Sequence, residues 1–211
     1  GVGQEKAEDM TKYILAALAL GVAAGYVVNN FSSGFPNVLV TDYLLSAALY
    51  ILLFVMGLTF AIDKEAVAKL KATGLKLLIV PVLVILGSIL GGLVAGLIFQ
   101  LDLFGSMAVT AGYGWYTLTG PLLTQMLGTK WGALGFAANF LRELLTIVTI
   151  TLLVRLDKYA PIASGGATTM DTTLPVIVRY CGSETLITAF SSGFVLSMIA
   201  PFTVVAIASL F

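Results

Sequence analysis

Apolar residues run along this chain in blocks of membrane-spanning length, and most charges fall in the gaps between blocks. A spanning helix needs about 20 apolar residues. By that measure residues 13–28, 38–62, 77–99, 132–154 and 183–211 read as five spans, the first of them short and extended by Lys12. Two further stretches, 104–128 and 156–182, are long enough to cross but are broken near their middles by glycine and hydroxyl residues.

The two breaks echo one another. The first is Thr110-Ala-Gly-Tyr-Gly-Trp-Tyr-Thr-Leu-Thr-Gly-Pro121, and the second is Ser164-Gly-Gly-Ala-Thr-Thr-Met-Asp-Thr-Thr-Leu-Pro175. At the offset that carries Pro121 onto Pro175, Thr110 meets Ser164, Gly112 meets Gly166, and Thr119 meets Thr173. Further on, Gly128 meets Gly182 and Thr129 meets Ser183. Paired breaks in a duplicated hydrophobic unit point to a transporter's binding site near the bilayer midplane. A break exposes backbone N–H and C=O groups that hydrocarbon does not tolerate, so it survives only inside protein or beside a wet cavity. The hydroxyls of Thr117, Thr119, Thr168, Thr169, Thr172 and Thr173 stand ready to satisfy some of those groups.

The fold expected is therefore an all-α integral membrane protein with five full spans and two broken-helix or re-entrant elements. Residues 1–102 would form a three-span N-terminal bundle, and 103–211 a duplicated transport unit. The lysine-rich stretch 63–76 belongs on the cytoplasmic side by the positive-inside bias. That places the N-terminus in the cytoplasm and Asp102 outside. If each broken stretch crosses, Arg155 and Lys158 end outside; if each re-enters, they end inside. The charge bias favours re-entry, with the C-terminus outside and the repeat inverted.

Composition agrees. Of 211 residues 59% are hydrophobic and 10% charged, against about 25% charged in soluble domains. Mean hydropathy is +1.02. Eleven basic and eleven acidic residues leave no cationic excess to attract nucleic acid. No histidine and a single cysteine, Cys181, make a metal or haem site an unsuitable expectation, and no cofactor is implied. Residues 1–10 are polar and acidic, without the basic start and apolar core of a cleaved signal. Gly87, Gly91, Gly92 and Gly96 mark a close helix contact, either a homodimer face or internal packing.

Three charges stand away from helix ends: Arg142 and Glu143 inside the span 132–154, and Asp171 inside the second break. A charge at the bilayer centre costs roughly 3 kcal/mol on insertion scales, so its default reading is functional. Arg142 and Glu143 are consecutive, and successive helical side chains point about 100° apart, so they do not pair naturally. Asn139 stands one turn before Glu143 and shares its face. Trp115 and Tyr116 lie in the first break, where an aromatic beside carboxylates makes a seat for an ammonium group. The substrate-binding set expected is thus Glu143, Asp171, Trp115, Tyr116, Thr117, Thr119, Asn139, Thr172 and Thr173, with Arg142 as counter-charge.

Thr110-Ala-Gly-Tyr-Gly114 resembles the TVGYG filter of potassium channels, which makes a cation channel the alternative. The Val is missing, however, and the partner break has no Tyr-Gly. An intramembrane enzyme using the two carboxylates as a dyad would leave the duplicated breaks unexplained.

The segments Gly112-Tyr-Gly-Trp-Tyr-Thr-Leu-Thr-Gly120, Asn139-Phe-Leu-Arg-Glu-Leu144 and Gly166-Ala-Thr-Thr-Met-Asp-Thr-Thr-Leu-Pro-Val176 together resemble the lysine exporter (LysO) family of prokaryotic membrane proteins. The resemblance covers most of the chain. It implies a multi-pass protein of the prokaryotic inner membrane that exports lysine, and its intramembrane acids fall on Glu143 and Asp171. Charge and spacing alone imply a polar, cationic substrate. Moving lysine with one net positive charge outward against an inside-negative potential costs about 2.3 kcal/mol per 100 mV. Antiport of one proton, on a carboxylate that holds either the ammonium or H⁺, removes that electrical cost.

Overall fold

The computed structural model describes residues 78–211 continuously, together with scattered positions between Ala16 and Ile62 that are all helical. The spans expected at 13–28 and 38–62, the loop between them, the N-terminal ten residues and the basic stretch 63–76 lie largely or wholly outside the described residues. The chain divides into two compact units, Gly1–Leu45 and Ser46–Phe211. The continuous run 78–211 belongs to the second.

Every regular element among the described residues is helical. In chain order these are α1 (Ile79–Phe99), α2 (Leu103–Thr110), α3 (Tyr116–Leu127), α4 (Thr129–Leu156), α5 (Ala160–Gly165), α6 (Leu174–Cys181) and α7 (Leu186–Ala208). A 3₁₀ turn, Gly166–Met170, follows α5, and another, Ser183–Thr185, leads into α7. Three segments are long and apolar enough to cross a membrane: Ile79–Phe99, Thr129–Leu156 and Ser183–Ala208. These correspond to three of the five spans read from the sequence. At 1.5 Å per residue, α1 is about 31 Å long, enough for the hydrocarbon core.

The short helices are set by local chemistry. Asp102 caps α2 by accepting the Gly105 N–H at 2.8 Å. Pro161 and Pro175 sit in the first turns of α5 and α6, where the missing N–H has no intrahelical partner to lose. Gly128 closes α3 at φ 94°, ψ 171°, and Gly182 closes α6 at φ 96°, ψ 155°. These two glycines, matched by the repeat offset, share a backbone conformation that residues with a Cβ rarely adopt.

Each broken stretch consists of two arms, α2 with α3 and α5 with α6. The Trp131 ring lies on Gly105 and edge-to-face with Phe211, 5.6 Å between centroids. The start of α2, the start of α4 and the chain's last residue therefore share one end of the bundle. At the other end, Ile162, Ile177, Cys181 and Ala189 cluster with Ile150, and Val80 and Val154 pack against them.

Of the glycines at 87, 91, 92 and 96, two serve packing within the chain. A Cβ on Gly92 would sit 2.7 Å from the Ser106 carbonyl oxygen, and one on Gly96 would meet Leu103 and Ser106 at 3.1 Å. Gly87 and Gly91 have nothing described within 4 Å. Gly92→Ala should therefore cost about 1–3 kcal/mol, the usual range for overpacking, and Gly91→Ala should leave stability unchanged. Thermal melts of the two purified variants in one detergent check this; equal melts would mean that α1 does not rest on α2 as described.

Candidate functional site

The tips of the two broken stretches meet. Ala167 N–H donates to the Tyr113 carbonyl at 2.8 Å. Close approach is possible because the facing residues are glycines: a Cβ on Gly114 would stand 3.1 Å from the Gly165 oxygen, and one on Gly166 would collide with the Tyr113 oxygen. Tyr113 itself takes φ 52°, followed by Gly114 at φ 104° and, across the junction, Gly166 at φ 65°.

Polar side chains on the middle of α4 hold both tips. Asn139 Oδ1 accepts the Gly114 N–H at 2.7 Å, and its Nδ2 donates to the Val109 and Gly135 carbonyls, each at 2.8 Å. Arg142 donates through Nε to the Ser164 carbonyl at 2.7 Å and through Nη2 to the Ala163 carbonyl at 2.9 Å. Its third bond runs from Nη1 to Ser88 Oγ at 2.8 Å. Arg142 thus serves the C-terminal carbonyls of α5, where a helix end favours a cation. Hydroxyls complete the wall: Thr119 donates to the Trp115 carbonyl at 2.7 Å, Thr168 to Gly165 at 3.0 Å, and Thr169 to Gly166 and Ala189 at 2.8 Å each.

Beside this junction is a cavity of about 300 Å³. Gly114, Trp115, Tyr116 and Thr117 line it from the first break. Thr168, Met170, Asp171 and Thr172 line it from the second, Glu143 from α4 and Ser197 from α7. Glu143 and Asp171 therefore open onto the same space. Neither forms an ion pair among the described residues. Glu143 Oε2 is buried without a hydrogen-bond partner, and the Tyr116 phenol is turned toward that carboxylate. Tyr116 is held in place by Phe136 and Phe140, edge-to-face at 5.3 and 5.5 Å. Asp171 accepts the Thr172 N–H at 2.6 Å and the Thr172 hydroxyl at 3.4 Å, and is exposed at the cavity. Trp115 Nε1 donates to Thr117 Oγ1 at 3.0 Å, fixing the indole at the rim.

Of the residues expected at the site, Glu143, Asp171, Trp115, Tyr116, Thr117 and Thr172 line the cavity. Thr119, Asn139 and Thr173 do not: all three are buried, and their polar atoms are engaged in the wall, Thr173 with Thr168 at 3.2 Å. Arg142 also faces elsewhere, toward Ser88 and α5, and not into the space shared by the carboxylates.

Ser197, Thr168 and Met170 line the cavity from outside the expected set. Ser197 carries a legible signal, because Pro201 stands four residues later inside α7 and removes the amide that would bond its carbonyl. Pro121 does the same for Thr117 in α3. Two of the cavity's helical residues thus have carbonyls freed by proline.

The potassium-filter likeness finds no support. Filter carbonyls must face a pore, but here all five from Thr110 to Gly114 are bonded within the fold. Their donors are the N–H groups of Tyr113, Trp115, Ala167 and Tyr116 and the Thr203 hydroxyl.

Residues 15–208 match the family described as lysine exporter LysO. The chain is 32% identical over 201 residues to "Lysine exporter LysO" of Escherichia coli K12, covering 94% of this chain and 66% of that protein. It is 26% identical over 195 residues to "Putative lysine exporter" of Haemophilus influenzae Rd, covering 91% of this chain and 95% of that protein. No solved structure matches the chain.

Replacing Asn139 by Ala should be strongly destabilising, because the Gly114 N–H and the Val109 carbonyl would be left buried and unpaired at about 1–3 kcal/mol each. Asn139→Asp keeps the acceptor and loses the donor, so it should fall between. Melting temperature and yield of folded protein on gel filtration test the order; a wild-type melt for Asn139→Ala would remove Asn139 from the wall.

Proposed function

The chain belongs to the lysine exporter LysO family, and on that premise we propose that it is a secondary transporter carrying L-lysine out of the cytoplasm. The observation that carries this reading is the pair Glu143 and Asp171. They come from different elements, open onto one cavity, and have no basic partner among the described residues. Carboxylates kept unpaired in a membrane interior need a visiting cation or a proton. The surrounding groups suit an ammonium: the faces of Trp115 and Tyr116, the hydroxyls of Thr117, Thr168 and Thr172, and the proline-freed carbonyls of Thr117 and Ser197.

Proton antiport follows from the same pair. A carboxylate that binds the lysine ammonium on one side must release it before it is protonated on the other, so the two cargoes displace one another. The electrical cost of exporting a cation is cancelled when one proton returns. Glu143 carries the deeper exchange, since one of its oxygens is already buried and unpaired. Asp171, at the exposed side of the cavity, receives the ammonium first.

In this reading the two broken stretches are re-entrant and inverted. The contact of Gly105 with Trp131 supports re-entry of the first, since it joins the stretch's beginning to the residue just past its end. Ile162 and Cys181, in one cluster, support re-entry of the second from the opposite end. The tips then meet near mid-membrane, and access alternates as one tip separates from the other. The family's setting makes the prokaryotic cell membrane the place of action.

Counterflow of labelled lysine into proteoliposomes, with internal pH followed by a dye, tests the scheme. Glu143→Gln and Asp171→Asn should each bring lysine-driven proton movement to the level of protein-free vesicles while keeping the wild-type melt. Undiminished coupled flux in either variant removes that residue from the mechanism. No counterflow with lysine in the wild-type chain removes the substrate.

A further inference from the structure

A second cavity, about 470 Å³, shares no lining residue with the first. Leu83, Gly87 and Ser88 of α1, Arg142 of α4, and Ala163 and Ser164 of α5 line it. The proton count around Arg142 is informative. A guanidinium has five N–H donors, and three are used, on Ser164 O, Ala163 O and Ser88 Oγ. All three acceptors are neutral, and Arg142 has no ion pair among the described residues. Among the described residues, two N–H donors and the formal positive charge are therefore left without a partner.

The hydroxyls can be assigned in the same way. Ser88 Oγ accepts from Arg142, which leaves its own proton free to donate. Thr146 Oγ1 donates to the Arg142 carbonyl at 2.8 Å, so in its 2.7 Å contact with Ser164 the serine is the donor. Ser164 thus spends its proton on the wall, and Ser88 is the hydroxyl that can donate into the cavity. The described lining is otherwise apolar, with Leu83, Val84 and Ala163. A site with one positive charge, free donors, apolar sides and no carboxylate among the described residues disfavours cations and suits a small singly charged anion.

We propose that this cavity is an anion site, holding a halide or a carboxylate against Arg142 and Ser88. It stands apart from the identity of the cation carried in the first cavity. It also gives the membrane-buried Arg142 the counter-charge that the described protein residues do not supply. The anion has two possible sources, a free inorganic ion and the carboxylate end of an amino acid.

The test is the melting temperature of the purified full chain in detergent, titrated with chloride and then with acetate, without lysine. Wild type should show a saturable rise of about 3 °C with at least one of them. Ser88→Ala, which keeps the arginine and its bonds to α5, should move the midpoint to roughly tenfold higher concentration, and Arg142→Lys should do the same or more. A chloride response marks an inorganic anion. A response to acetate and to lysine, but not to chloride or 1,5-diaminopentane, marks a carboxylate. Titration curves that coincide in wild type and both variants, the sign of a general salt effect, overturn the site. Because the probes are simple anions, failure of lysine transport would leave this result standing, and the reverse also holds.

Discussion

A helix interrupted inside a membrane must find new partners for its backbone, and the architecture around residues 111–115 and 166–173 answers that demand. In hydrocarbon each unsatisfied N–H or C=O costs several kcal/mol, so neither break is stable alone. Each is completed by the other, through Ala167 N–H on Tyr113 O, and by α4, through Asn139 on Gly114 and Arg142 on Ala163 and Ser164. The glycines at 114 and 166 allow the two stretches to approach within bonding distance. A membrane-buried arginine and a membrane-buried asparagine thereby acquire a structural account, as partners for backbone that α-helix would otherwise have satisfied.

The same junction divides the polar interior. Arg142 and Glu143 are neighbours in sequence, and helical geometry turns them about 100° apart. One turns toward α1 and α5, the other toward the first break and Asp171. Opposite charges that would neutralise each other if they faced one way are instead given to separate cavities. The carboxylates have no ion pair among the described residues, and the guanidinium braces the wall between them and α1. Within the proposed scheme, separation of the tips would weaken the bonds that Asn139 and Arg142 make. Wall geometry and carboxylate exposure would then change together.

Backbone conformation also carries the repeat. Gly128 and Gly182 close α3 and α6 with nearly the same dihedral angles, and Pro121 and Pro175 stand at the repeat offset, the first inside α3 and the second in the first turn of α6. The arms differ in length, twelve residues in α3 against eight in α6, and in what they pack on. α3 lies along α4, whereas α6 joins the cluster around Ile150.

From the linear order of residues one could read the long apolar blocks, the two breaks, and the acids that oil would not hold without purpose. Those features follow from local rules: how many apolar residues cross a bilayer, where glycine and proline interrupt a helix, what an isolated charge costs. Six of the nine residues expected to meet substrate do line one cavity, five of them from the two breaks and Glu143 from α4. The remainder depended on three-dimensional partners. Asn139 is turned into the wall by Gly114 and Val109, which are remote in sequence, whereas Thr119 and Thr173 are buried on neighbours only four and five residues away. Arg142 reads from the sequence as a counter-charge at the site; in the fold α5 places two carbonyls within its reach. Ser197 entered the site from α7, far along the chain from Tyr116, where no spacing rule connects the two. Local chemistry determined which groups needed company; only the packed structure determined whose company each one found.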